Sequence, residues 1–198
     1  MVNKVKLNDF FKNGYFVYKI ENKKYLNALK EKIFICSKKI LDKKINKNFF
    51  DNFHKLELSK DEENYFRMKL MRKINSNYYG AKIGYKIFKD IVEKIFGLDV
   101  VTQKNINLVI HTPGDNSQIT VHRDAPPNSL YEIVVWLPLV NTYKTKNMRI
   151  VNKKNTEKIY LNLKRKTSHQ GEHENLMNEY FKTSFKKSKS INLKFGEA

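Results

Sequence analysis

Several residue types are scarce in this sequence, and each scarcity excludes something. There is one cysteine, Cys36, in 198 residues, so no disulfide can form within the chain, and a reducing cytoplasm is the expected location. Cys36 lies among apolar residues of a predicted helix and reads as a small core residue. No apolar run approaches the roughly 20 residues that span a bilayer, so no membrane partner is expected. The N-terminal stretch from Met1 to Asp9 has no apolar segment behind its lysines, and no signal peptide is expected there. All four prolines fall between positions 113 and 138. No repeat and no Pro/Gly/Ser-rich linker divides the chain, which predicts one domain over 1–198, mostly helical in 1–98 and strand-rich in 99–198.

Arginine is also scarce, with 5 against 34 lysines and 23 asparagines. The net charge of +19 would otherwise invite a nucleic-acid reading. Arginine is the residue that grips phosphates and base edges bidentately, and a surface shaped for nucleic acid is expected to use more of it. Lys and Asn, with abundant Ile, Tyr and Phe, are also what A/T-rich codons favour. The charge therefore reads as a solvated, compositionally biased surface. The second reading is a basic face for an anionic substrate such as a nucleotide sugar.

What the chain does contain is 40% apolar and 13% aromatic residues, a globular composition. Phe10, Phe11, Gly14, Tyr15, Phe16 and Val17 suggest a short helix, a turn and a short strand. Apolar residues at Tyr25, Leu26, Leu29, Ile33, Cys36 and Ile40 have helical spacing from Lys23 to Leu41. Ser59-Lys60-Asp61-Glu62 is a capping box that predicts a helix start, with Tyr65, Phe66, Leu70 and Ile74 as its stripe. Ile83, Ile87, Ile91 and Ile95 predict a third helix from about Ala81 to Phe96, ended by a left-handed Gly97.

After Gly97 the runs become short and β-branched or aromatic: Val100-Val101, Leu108–Ile110, Ile119–Val121, Tyr131–Val140, Met148–Val151, Ile159–Leu163 and Ser190–Phe195. Helices first and closely spaced strands later predict an α+β fold with an antiparallel sandwich or barrel as its second half.

One of these runs ends on His122-Arg123-Asp124. Side chains two apart on a strand share a face, so the His122 imidazole and the Asp124 carboxylate can converge on one cation. That is two-thirds of the 2-His-1-carboxylate triad, which leaves adjacent positions on iron(II) open. Arg123 points to the other face. Alone, the triplet is equally an ordinary surface pair at a strand end. His169 and His173, at i and i+4, share a helical spacing but sit in a polar neighbourhood that reads as surface. His54 has no partner in the sequence.

The flanking residues carry more weight. Asn107-Leu108-Val109-Ile110-His111-Thr112-Pro113-Gly114-Asp115 leads through Ser117-Gln118 to the triplet, and Tyr131-Glu132-Ile133-Val134-Val135-Trp136-Leu137-Pro138-Leu139 follows it. This stretch resembles a bacterial subgroup of the phytanoyl-CoA-hydroxylase-like iron(II)/2-oxoglutarate-dependent oxygenases found in carbohydrate-biosynthesis clusters. Phe11-x-x-Gly14-Tyr15 and Leu193–Ala198 agree more loosely. The resemblance implies a double-stranded β-helix (jelly-roll) core behind an N-terminal helical layer. It implies iron(II) on His122 and Asp124, and 2-oxoglutarate near Gln118 and Trp136, with a sugar or nucleotide-linked sugar as substrate. His111, beside the loop, would have a structural or substrate-facing role. In such oxygenases a second histidine, and an Arg or Lys for the 2-oxoglutarate carboxylate, follow a strand of the kind that begins at Phe195-Gly196-Glu197. The resemblance thus implies a truncated sequence, with the last strands of the core missing. The alternative is a non-catalytic jelly-roll, a cupin-like sugar-binding or epimerase protein.

Overall fold

The computed structural model describes residues 4–42, 45–110, 112, 132–144, 147–164 and 187–198. It is an α+β chain: helices α1 (Lys4–Asn13), α2 (Lys24–Leu41), α3 (Lys60–Asn75), α4 (Tyr79–Phe96) and α5 (Lys153–Lys164), with strands β1 (Met148–Ile150) and β2 (Lys189–Ile191). No helix among the described residues is long and apolar enough to cross a membrane. The chain sorts into two compact units, one of residues 19–115 and one of 1–18 with 116–198.

The 19–115 unit is helical. Helices α2, α3 and α4 each pack on the other two. Leu26, Leu29, Ile33 and Cys36 of α2 meet Phe66, Leu70 and Ile74 of α3 and Ile83, Ile87, Phe88, Ile91 and Val92 of α4, all buried. The 3.6-residue stripes expected from the sequence thus form one core. Tyr65 departs from its expected place: it lies between the α3 stripe and the outer face and is 60% exposed. Ser37 is fully buried, its hydroxyl donating to the Ile33 carbonyl at 2.8 Å. The capping box forms as read: Ser59 N–H donates to Glu62 Oε2 at 2.8 Å, and Glu62 N–H to Ser59 Oγ at 3.3 Å. Between α2 and α3, 3-10 turns at Lys47–Phe49 and Phe53–Leu56 bring Phe49 and Phe53 against Phe66, with ring centroids 6.3 and 5.4 Å away. Gly97 ends α4 at φ 87°, ψ −163°. That is the extended positive-φ region open to glycine, not the left-handed helix that was expected.

Residues 106 and 112 are both bonded to α3. The Asn75 side chain accepts from Ile106 N–H at 2.9 Å and donates to Ile106 C=O at 3.0 Å. An amide side chain thus offers this segment the pairing a neighbouring strand would. Thr112 Oγ1 donates to Glu63 Oε2 at 3.3 Å. Ile106 is thus bonded at the C-terminal end of α3 and Thr112 near its N-terminal end, so their order along the helix is antiparallel to α3. Gly80 permits the close approach: a Cβ there would sit 2.2 Å from Asn75 Oδ1 and 2.9 Å from Ile106 Cγ1.

In the other unit, α1 ends on Gly14, whose φ is 80° and whose N–H donates to Phe10 C=O at 2.8 Å. β1 and β2 are antiparallel, with Met148 opposite Ile191 and Ile150 opposite Lys189. Farther along, Thr142 pairs with Leu193 through N–H···O bonds of 2.8 and 3.2 Å. Between these two pairings, the Asn147 side chain donates to Ser190 Oγ and Asn192 Oδ1. The segment ends in a turn: Glu197 N–H donates to Lys194 C=O at 2.9 Å, and Gly196 has φ 98°, the third-position glycine of a type II turn. Ala198 and Tyr18 then exchange two backbone hydrogen bonds, of 2.8 and 3.0 Å.

Four expected strands differ among the described residues, the Tyr131–Val140 run being one of them. Ile159–Leu163 lies inside α5. Asn152 starts that helix, its side chain accepting from Asn155 N–H at 2.9 Å, and Ile159 and Leu163 are one turn apart, a spacing that serves a helix as well as a strand. Val100-Val101 pairs with nothing described, and Val101 is 96% exposed. Leu108–Ile110 has alternating burial, with Val109 50% exposed, but its partner is the Asn75 side chain rather than a strand.

Candidate metal centre

Gln118, His122, Arg123 and Asp124 lie outside the described residues, as do His111, His169 and His173. The expected strand Ile119–Val121 lies there too. Among the described residues, no group of three or more His, Cys, Asp or Glu side chains is arranged to hold a metal ion. As a donor set, an imidazole and a carboxylate two positions apart suit iron(II), which takes both nitrogen and oxygen ligands.

Trp136 is described and half-buried. Residues 132–138 form no helix or strand, with Val134 60% and Val135 41% exposed and Pro138 buried. The strand expected over Tyr131–Val140 is thus absent from its described part, because an extended run becomes a strand only when its amides find a partner. Beyond it the backbone does pair, at Thr142 with Leu193 and at Met148–Ile150 with β2. Thr142 is buried, and its hydroxyl oxygen accepts from Leu193 N–H at 3.0 Å. Phe195 N–H donates to Asn141 Oδ1 at 2.8 Å.

On the N-terminal side of the triplet, the lead-in to the Pro113-Gly114-Asp115 loop is the segment held by Asn75 and Glu63. At its end, Thr112 lines a cavity of about 340 Å³ with Phe53, His54, Glu57, Leu58 and Glu63. His54, which has no partner in the sequence, is placed there by the turn after Phe53, and Glu57 closes that turn with φ 49°. The sequence hides this grouping because its members come from three separated segments. Cys36 is 6% exposed in the α2 stripe, as expected of a core residue.

No protein family, no curated protein and no solved structure matches this chain.

Proposed function

We propose that this protein is an iron(II)/2-oxoglutarate-dependent oxygenase acting on a sugar or nucleotide-linked sugar. The observation that carries the reading is the sequence constellation: His122-x-Asp124 preceded by Pro113-Gly114-Asp115 and Ser117-Gln118, and followed by the Tyr131–Leu139 run with Trp136. The finer fold in this reading is a jelly-roll core over residues 99–198, to which the antiparallel pairing of 142–150 with 189–193 contributes. An α+β chain with paired strands in its second half supports this architecture.

In this reading the His122 imidazole and Asp124 carboxylate hold the metal on one face of the strand that ends at Asp124, with a histidine as third ligand. Gln118, four positions before His122, shares that face and hydrogen-bonds the co-substrate or the sugar. Trp136 covers the co-substrate with an apolar ring and keeps water away from it. Bound iron(II) with 2-oxoglutarate supplies the oxidising power toward an unactivated C–H bond, and the chain supplies ligands, open positions and a dry site.

The test is succinate formation from 2-oxoglutarate by the protein expressed as its gene encodes it, with iron(II), oxygen and candidate sugars. Succinate release that His122→Ala and Asp124→Ala each abolish is the expected result. No succinate with any sugar, or undiminished release from both variants, would overturn the reading. A protein that binds sugars without turning over 2-oxoglutarate would instead be the sugar-binding jelly-roll.

A further inference from the structure

The lysines of this chain are numerous everywhere, but the structure gathers four of them along one seam. Within the 19–115 unit, α2 and α4 lie side by side. Lys86 Nζ of α4 sits 5.4 Å from the centre of the Tyr25 ring of α2, and Lys32 Nζ of α2 sits 5.7 Å from that of Tyr79 of α4. The two contacts are seven residues apart on each helix and run in opposite senses, so the helices are antiparallel along this seam. Lys24 Nζ also approaches the Tyr25 ring, at 5.9 Å. Lys82 is exposed on the α4 face between Tyr79 and Lys86. Four ammonium groups from two helices thus border a strip about 12 Å long, the rise of α2 from Lys24 to Lys32.

The acidic residues near this strip leave it basic. Glu93 on α4 is engaged by the Tyr85 hydroxyl at 2.6 Å and by Lys89 at 3.9 Å. Asp90 lies one turn beyond Lys86, at the end of the strip, and Glu31 is a third of a turn round α2 from Lys32. Among the described residues, none of the four lysines has a carboxylate within ion-pair distance; three of them lie over tyrosine rings instead. Cation–π contacts hold the lysine stems in place without neutralising their charge. The result is a fixed positive surface.

We propose that this α2–α4 seam binds the phosphate backbone of a nucleic acid without reading its sequence. Composition alone pointed away from nucleic acid because arginine is scarce, but that scarcity bears on bidentate readout of bases. A backbone site needs point charges at intervals along a track, which lysines provide. The chemistry chosen by an array of ammonium groups along a helix–helix seam is a polyanion with repeated single charges. A lipid surface would need an apolar face beside the lysines, and Tyr25 and Tyr79 are half-buried under them.

The experiment is fluorescence anisotropy of a labelled single-stranded DNA homopolymer titrated with the protein over a range of salt concentrations. The variant K24Q/K32Q/K82Q/K86Q is compared with K55Q/K60Q/K69Q/K73Q, which removes the same charge from exposed lysines of the same unit. Four neutralised phosphates correspond to a loss of roughly 3 in the slope of log K against log salt. The expected result is that loss in the seam variant, with more than roughly tenfold weaker binding at low salt, and a much smaller change in the other. The Arg variant K24R/K32R/K82R/K86R is expected to keep the slope, and circular dichroism checks that each variant folds. Equal losses in the two Gln variants, no binding to the DNA, or seam-dependent binding only to anionic lipid vesicles would each overturn the proposal.

Discussion

Asn75 and Gly80 show how single residues fix a long segment. The Asn75 amide satisfies both backbone groups of Ile106, and Gly80 leaves room for it to do so. Gly80→Ala would put a methyl group 2.2 Å from Asn75 Oδ1, so the amide must leave Ile106 or the helices must part. The expected cost is about 1–3 kcal/mol, measured by chemical denaturation. Asn75→Ala is expected to cost a similar amount, since it strands two backbone groups of Ile106. The two changes act on one contact, so their combined cost should fall short of the sum. A strictly additive pair would show that Gly80 and Asn75 act independently. None of this was legible in the sequence: Asn75 looked like one more of 23 asparagines, and its partner lies 31 positions away.

Among the elements, α2, α3 and α4 were legible because long periodic stripes have one reading once they exceed three turns. Ser59 was legible because a capping box is local chemistry. Ser59→Ala is expected to cost about 1 kcal/mol in the denaturation midpoint, with the loss concentrated in amide-exchange protection of the first turn of α3. α5 was missed because Ile159 and Leu163 are too few to set a period, and the decisive signal was the Asn152 cap. α4 also carries a pH-dependent link. The Tyr85 hydroxyl donates to Glu93 at 2.6 Å, which raises the phenol above its ordinary value of 10.0, with burial and the Glu93 charge acting in the same direction. A raised folded-state value means the bond's contribution is complete below the ordinary tyrosine value and is lost as pH climbs through the raised one. The stability difference between the protein and Tyr85→Phe should therefore be constant near neutrality and shrink in strongly alkaline buffer. A difference that grows with alkalinity would contradict the hydrogen bond's direction.

For the molecule as a whole, the α+β class and the helices of the first hundred residues follow from patterns that sequence reading handles well, whereas the division at residues 19 and 115 has no signal in the sequence. The strands did not transfer as fully, because a strand is defined by a partner and short apolar runs do not name theirs. Met148–Ile150 and Lys189–Ile191 found each other; residues 132–138 have no strand partner among those described. The candidate centre was legible only as a constellation of residue types. Of its four members, Trp136 alone is placed, half-buried, and His122, Asp124 and Gln118 rest on the sequence. Whether His122 and Asp124 hold iron(II) is read out by anaerobic calorimetric titration of the protein with iron(II). One equivalent should bind, His122→Ala and Asp124→Ala should each weaken binding at least roughly tenfold, and the paired change His169→Ala/His173→Ala should leave it intact. Iron(II) binding that survives loss of His122 and Asp124, or that is absent from the protein altogether, would rule out a metal centre on these two residues.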